Sequence, residues 1–273
     1  MAITNYATKY SGAVDEKFKI GSMSESCVNK NFDFVGAKTV KVYNIATSAM
    51  NDYRRSGQNR YGDIEDLEVT EQEMTMSKDR SFTFAIDKMD EDETKGALKA
   101  GTALARQLAE VVIPEVDAYR YTKMATLAKT KKTETLTKEN IYDAITTATE
   151  TLDEAKVPAV GRFLIVSPQT YKLMKLSKEI ILDTETSQEQ RARGVIAMLD
   201  SCEIKKVPSS LLPANTGFIM GHSIACTSPL KLAEYKINTE PQGISGSLVE
   251  GRIYYDAFVL ENKKAALYTH NNA

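Results

Sequence analysis

The sequence predicts an α+β fold: a polar N-terminal arm, an extended two-stranded loop, a long helix, a compact α/β unit and a closing set of strands. Three observations predict it. Apolar side chains occupy alternate positions at Met74, Met76, Phe82, Phe84 and Ile86, the period of a strand with one buried face. Leu98, Gly101, Leu104, Ala105, Leu108, Val111, Val112, Val116 and Tyr119 recur at three- and four-residue steps, the period of a helix. Beyond residue 133, helical patterns alternate with short apolar runs such as Phe163-Leu164-Ile165-Val166, as layered helices and strands do.

Bulk composition bounds the rest. The chain has 273 residues, 42% hydrophobic and 26% charged, enough for one good core or two small ones. Thirty-five basic side chains against thirty-seven acidic ones leave a net charge of −2. That lacks the positive field of sequence-independent nucleic-acid binding. No run approaches the ~18 apolar residues of a membrane span, and Met1 to Tyr6 has no basic start leading into an apolar stretch. A soluble chain made inside the cell is expected. Cys27, Cys202 and Cys226 are far apart and form no CxxC, so buried thiols are expected rather than a zinc site or a disulfide framework.

Residues 1–35 form the arm: Lys9, Asp15, Glu16, Lys17, Lys19, Glu25 and Lys30 lie among small residues, with too few apolar side chains for a domain. Order is expected there only where the arm lies on something else. Residues 36–90 form the extended loop. Lys38 to Ile45 is a β-branched strand, Asn51 to Gly62 a loop, and the alternating run on either side of Ser77-Lys78-Asp79-Arg80 reads as a hairpin.

Charge is unevenly spread. Residues 63–93 hold twelve acids and three bases, whereas residues 1–60 hold nine bases and five acids. The acids can be a solvated face and nothing more, or an acidic flap resting on a basic surface of another copy. A lone hairpin is marginal in water, which favours the second. The candidate contact residues are Arg54, Arg55, Met74, Met76, Lys78, Arg80, Phe82 and Phe84.

Residues 91–132 carry the spine. Asp90-Glu91-Asp92-Glu93 places acids at a helix start, where the dipole favours them. The stripe lasts to about Leu127, and Pro114 should kink or split it. Some 34 residues would reach about 50 Å, longer than a compact domain needs. Residues 133–235 form the α/β unit: a helix from Thr137 to about Ala155, a strand at 163–166, and a helix from Ser167-Pro168 to Leu176. A charged loop from Thr184 to Arg193, a short helix at Val195–Leu199, and strands at Glu203–Val207 and Gly217–Met220 complete it. Residues 236–273 return to strands. Lys231 to Asn238 leads in, Pro241 to Ser247 is a loop, Arg252 to Leu260 a strand, Glu261 to Lys264 a turn and Ala265 to Thr269 the last strand.

Material for catalysis is sparse. Gly36-Ala37-Lys38-Thr39 lacks the earlier glycine of a phosphate loop, and HExxH and EF-hand patterns are missing. Gly243-Ile244-Ser245-Gly246 is not a nucleophile elbow, because the second glycine follows the serine directly. Of the two histidines, His270 lies near the C-terminus, where chains fray, and His222 reads as a structural histidine. Met50, Met74, Met76 and Met89 read as packing on the flap rather than a ligand set. No catalytic, cofactor or metal residue is assigned, and a structural subunit is expected rather than an enzyme.

The order of parts, with Val157-Pro158, Arg162 to Pro168, Pro229-Leu230-Lys231-Leu232, Glu240-Pro241-Gln242-Gly243 and Gly251 to Lys264, resembles the major capsid proteins of tailed bacteriophages, whose fold encapsulin nanocompartments share. The resemblance implies a peripheral domain built from the spine and C-terminal strands. It implies an axial domain of residues 133–235 around five- and six-fold centres, and a loop of residues 36–90 lying over a neighbour. It implies self-association into pentamers and hexamers of an icosahedral shell made in the bacterial host cytoplasm. Its partners would be a separate scaffolding protein, a portal protein and packaged double-stranded DNA held without tight sequence-specific binding. Some members crosslink a flap lysine to a neighbour's asparagine, the place Lys78 would take, although a solvated turn lysine is the better reading. An encapsulin-like compartment, and a monomeric binding or surface-attachment protein, are the alternatives.

Overall fold

The computed structural model describes residues 22–32, 34, 38–64, 66–94, 99–177, 180, 198–239 and 241–273. In chain order it has β1 (Thr39–Ile45), β2 (Val69–Thr75), β3 (Lys78–Asp87), α1 (Lys88–Glu93), α2 (Ala100–Gln107), α3 (Ile113–Leu127), β4 (Thr130–Thr133), α4 (Ile141–Glu154), β5 (Arg162–Val166) and α5 (Pro168–Leu176). There follow β6 (Met198–Leu199), β7 (Cys202–Lys206), β8 (Thr216–His222), β9 (Cys226–Thr227), β10 (Leu230–Asn238), β11 (Gly246–Tyr255), β12 (Phe258–Val259) and β13 (Leu267–Asn271).

A six-stranded sheet in the order β4-β13-β8-β5-β7-β6 holds the main core. β5 shows how the sequence builds it. Its five residues are all buried, and alternation sends Phe163 and Ile165 to one face and Leu164 and Val166 to the other. The first pair packs with Tyr121, Met124 and Ala125 of α3. The second packs with Ile141, Ile145, Ala148 and Leu152 of α4 and Met174 of α5. α4 is an amphipathic helix whose apolar residues fall on one stripe. α5 starts where Ser167 accepts the Thr170 N–H at 3.1 Å, with Pro168 in its first turn.

The closing strands do not form one set. β10, β11 and β3 make a separate three-stranded sheet, but β13 enters the six-stranded sheet, parallel to β4 and antiparallel to β8. His270 is therefore not in a fraying end: held between two neighbours, it is fully buried and stacks on Phe218 with centroids 5.0 Å apart.

The expected hairpin is also re-paired. β2 and β3 do not pair with each other. β2 pairs with β1, from Thr39 opposite Thr75 to Ile45 opposite Val69, whereas β3 pairs with β11, from Lys78 opposite Tyr255 to Asp87 opposite Gly246. The alternating pattern runs through Met76 unbroken, but the chain changes sheets there. The extended loop is thus the β1–β2 hairpin with residues 46–68 at its end.

The spine is helical from Ala100 to Leu127. Pro114 does not split it: a π-helical turn at Leu108–Val112, with the Ile113 N–H bonded to the Leu108 carbonyl, precedes it. A proline lacks an N–H and crowds the carbonyl four residues back, and a wider turn accommodates that carbonyl. The acid-rich start is its own short helix, α1, capped by Asp87, which accepts the Met89 N–H at 2.8 Å. Leu98 of the stripe lies outside the described residues.

The described end of the arm lies on the chain's own spine. Asp117 accepts from the Ser22 hydroxyl at 2.8 Å, the Met23 N–H at 3.1 Å and the Ser24 hydroxyl, and Arg120 donates to Ser24 and Ser228, both at 2.8 Å. Cys27, Val28 and Phe34 are buried. The charged loop at 184–193 and residues 195–197 of the expected helix lie outside the described residues, and Met198 and Leu199 form a strand instead.

Candidate assembly interface

The β1–β2 hairpin is fastened to the body along one face, as far as Asn44, whose Oδ1 accepts from the Asn262 amide at 3.5 Å. Its inward face carries Val40, Val42 and Met74, which with Met76 pack against Phe34, Leu260 and Phe258. Phe34 and Phe258 stack at 5.8 Å. Polar joints reinforce this root. The Gln72 amide donates to the Val259 carbonyl at 3.1 Å and accepts the Glu261 N–H at 2.9 Å. The buried Asp256 carboxylate accepts four hydrogen bonds: the Ser77 N–H at 2.8 Å and hydroxyl at 2.9 Å, and the Tyr119 hydroxyl and Ala257 N–H, each at 2.8 Å. Tyr254 donates its hydroxyl to the Met76 carbonyl at 2.9 Å. Burial, and then the Asp256 carboxylate, push the Tyr119 phenol well above its usual range.

The outward face has no such cover. Tyr43, Ile45 and Val69 share it and are each more than half exposed, with Ile45 directly opposite Val69. Lys41 lies between Glu71 at 2.9 Å and Glu73 at 3.0 Å, so part of the acidic charge is neutralised within the hairpin. Beyond the strands Met50 is 99%, Tyr61 85% and Ile64 94% exposed, and Tyr53 and Leu67 are also exposed. Single exposed apolar residues are ordinary, but a run of them along one projection is a candidate contact surface.

The far end has a set shape. Tyr53 and Tyr61 meet edge to face at 5.1 Å. The Arg54 N–H bonds the Arg60 carbonyl at 2.9 Å, the Gly62 N–H bonds the Asn59 carbonyl at 3.0 Å, and Arg60 Nε donates to the Gly57 carbonyl at 3.2 Å. Gly57 at φ 93° and Gly62 at φ 100° adopt the left-handed backbone this tight return requires. Arg54, Arg55 and Arg60 are all exposed on it.

The sequence-based contact residues divide accordingly. Arg54 and Arg55 sit at the exposed far end. Met74 and Met76 are fully buried in the root, a correction: their alternation marks an inward face, not a surface for a neighbour. Lys78 is in β3 opposite Tyr255, with Nζ 5.1 Å from the Tyr119 ring, and is not in a hairpin turn. Arg80 pairs with Glu115 of the spine at 2.7 Å. Phe82 and Phe84 stack at 6.2 Å, and Phe82 stacks on Tyr235 at 6.2 Å and covers Gly251, where a Cβ would meet its ring. Exposed on the projection but not among those residues are Tyr43, Ile45, Met50, Tyr53, Tyr61, Ile64 and Val69. Aromatic and apolar residues inside a loop-forming stretch were the available signal.

The titratable groups serve structure. His222 Nε2 donates to the Val160 carbonyl at 2.8 Å and Nδ1 accepts the Ile224 N–H at 3.1 Å, so both ring nitrogens are engaged. Burial pushes the Cys27 and Cys202 thiols up to about 11 and Cys226 up to about 12. Among the described residues no group of three or more His, Cys, Asp or Glu is placed to hold a metal ion, and no helix is long and apolar enough to cross a membrane.

No protein-family model matches the chain, and no curated protein matches it. Solved structures do. A chain from Mycobacterium phage Che8 superposes with a TM-score of 0.81 at 18% identity, covering 99% of this chain and 98% of that one. A chain from the capsid of cyanophage P-SCSP1u gives 0.81 at 12% identity, covering 98% and 93%. One from the mature capsid of bacteriophage PhiM1 gives 0.77 at 12% identity, covering 98% and 92%. The fold of this chain is the fold of those phage chains, two of them from capsids, along nearly its whole length.

Proposed function

We propose that this chain is the major capsid protein of a tailed bacteriophage or prophage, a structural subunit and not a catalyst, which assembles with copies of itself into the icosahedral head shell. The observation that carries the reading is the agreement in fold, over 98–99% of this chain, with phage chains of which two come from capsids. A hairpin rooted in its own body and apolar at its far end fits the reading, because that surface leaves water only against another chain. Repeated head-to-tail contacts of this kind close into rings, and rings of five and six into a shell, when the rotations permit. Assembly would then take place in the host cytoplasm with a separate scaffolding protein, around a portal. The shell would enclose double-stranded DNA that a chain of net charge −2 does not grip tightly.

Purified full-length protein, concentrated and viewed by negative-stain electron microscopy alongside sedimentation velocity, tests this. Closed shells of uniform size are expected. A chain that stays monomeric at every concentration and ionic strength overturns the reading, and shells from host cells that contain a protein cargo and no DNA favour a compartment over a phage head.

A further inference from the structure

The net charge of −2 conceals a local excess of one sign. Between Asp117 and Glu134 the chain carries five bases, Arg120, Lys123, Lys129, Lys131 and Lys132, and no acid. The spine helix sorts them. At about 100° per residue, Glu115, Tyr119, Thr122, Lys123 and Thr126 share one side of α3 and Asp117 and Arg120 the other, where both bond Ser24 of the arm. On the first side, Lys78 Nζ lies 5.1 Å and Lys123 Nζ 5.4 Å from the centre of the Tyr119 ring. Lys131 Nζ donates to the Thr126 carbonyl, so a cation covers the negative end of the helix dipole. Lys129 is exposed beside it, its N–H on the Lys264 carbonyl at 3.2 Å.

Among the described residues none of Lys78, Lys123, Lys129 and Lys131 is ion-paired. The acids around them are committed: Glu115 to Arg80, Asp79 to Arg252, Glu261 to Lys264 and Glu134 to Lys132. Asp256 is buried under its four hydrogen bonds. Residues 112–159 expose no large apolar side chain, so this surface lacks the apolar centre that a specific protein contact uses. Flexible ammonium groups act as point charges and suit phosphates better than base edges. Resting on the shell reading above, we infer that the lysine face of α3 binds the phosphate backbone of double-stranded nucleic acid and belongs to the inner surface of the shell. Four lysines grip weakly in one copy, and many copies along one duplex add up.

Anisotropy of a labelled DNA duplex tests the inference, with full-length protein kept below the concentration at which it assembles. Lys123→Gln, Lys129→Gln and Lys131→Gln together should lower affinity at low salt by at least about tenfold. The slope of log affinity against log salt should fall by about 0.9 for each lysine removed. Arginine at the same three positions should bind as the parent does, and circular dichroism checks each fold. Lys172→Gln, Lys175→Gln and Lys206→Gln remove equal charge around Tyr171 and should change affinity less than about twofold. Preassembled shells should bind the duplex at least about tenfold less per subunit than free chains. A parent that does not bind, an unchanged glutamine variant, or an equal loss around Tyr171 overturns the phosphate contact and leaves the shell reading intact. Shells that bind as well as free chains overturn the inner placement. A chain that binds through these lysines yet never forms shells overturns the shell reading, and the inner placement with it.

Discussion

The Asp256 carboxylate holds Ser77 twice, through its backbone N–H at 2.8 Å and its hydroxyl at 2.9 Å. Ser77 is the residue at which the chain leaves the hairpin sheet for the three-stranded sheet, and 179 positions separate the two residues in sequence. The same carboxylate takes the Tyr119 hydroxyl of the spine, so one buried side chain ties together the hairpin, the spine and the closing strands.

Asp256→Ala should therefore be among the more damaging single substitutions. It strands four donors, and hydrogen bonds to a charged group are worth about 1.5–3 kcal/mol each in isolation, with losses that do not add. An overall loss of about 3 kcal/mol is expected in denaturant unfolding, against about 1 kcal/mol for Ser77→Ala, which removes one donor and leaves the backbone bond. Equal effects would contradict the shared joint.

Gln72→Ala should act locally. It frees the Val259 carbonyl and the Glu261 N–H from the hairpin, at a cost of about 1 kcal/mol. Hydrogen exchange should speed up at residues 39–45 and 69–75 and stay unchanged in β5 and β8. Uniform acceleration across the chain would contradict a root fastened at this point.

Stability should fall in mild acid because of His270. Burial, and then the charge of Lys132, hold its pKa below the ordinary 6.5, with Glu134 acting the other way. The unfolded chain thus takes up the proton first, so stability present above about pH 6.5 is lost progressively below it. His270→Phe keeps the stack on Phe218 and removes two buried ring nitrogens that have no partner among the described residues. Its unfolding free energy should depend less steeply on pH between about 6.5 and 5 than that of the parent.

The three thiols should be silent in the native protein. All are buried and held protonated at neutral pH, at about 11 for Cys27 and Cys202 and about 12 for Cys226. A thiol-reactive dye at pH 7.5 should label none of them until denaturant is added, and then all three. Fast native labelling would contradict their burial.

Elements were legible in the sequence wherever neighbours along the chain decide them. The all-apolar run at 163–166, the Ser167-Pro168 helix start and the stripe of α4 each carry their own period or cap. Pairing was not legible in the same way. Met74 to Ile86 reads as two strands from its alternation, but nothing local says that β3 prefers β11, more than 150 positions away, to the adjacent β2. Proline 114 announced an irregular spine without saying that a π-helical turn would absorb it. For the contact surface, charge counting over 63–93 merged the hairpin, β3 and α1 into one acidic flap, although they face different surroundings. Alternation alone could not tell that Met74 points inward at the root while Tyr43 and Ile45 point out.

Among the described residues the hydrogen bonds from the hairpin to the body reach only as far as Asn44, so the part beyond it works as a lever. A small rotation there is enlarged toward residues 46–68, which lie beyond the last strand pair. Small differences in angle between chemically identical molecules can thus be taken up there, with the two cores left unstrained. A closed curved surface of five- and six-membered rings asks for that kind of give.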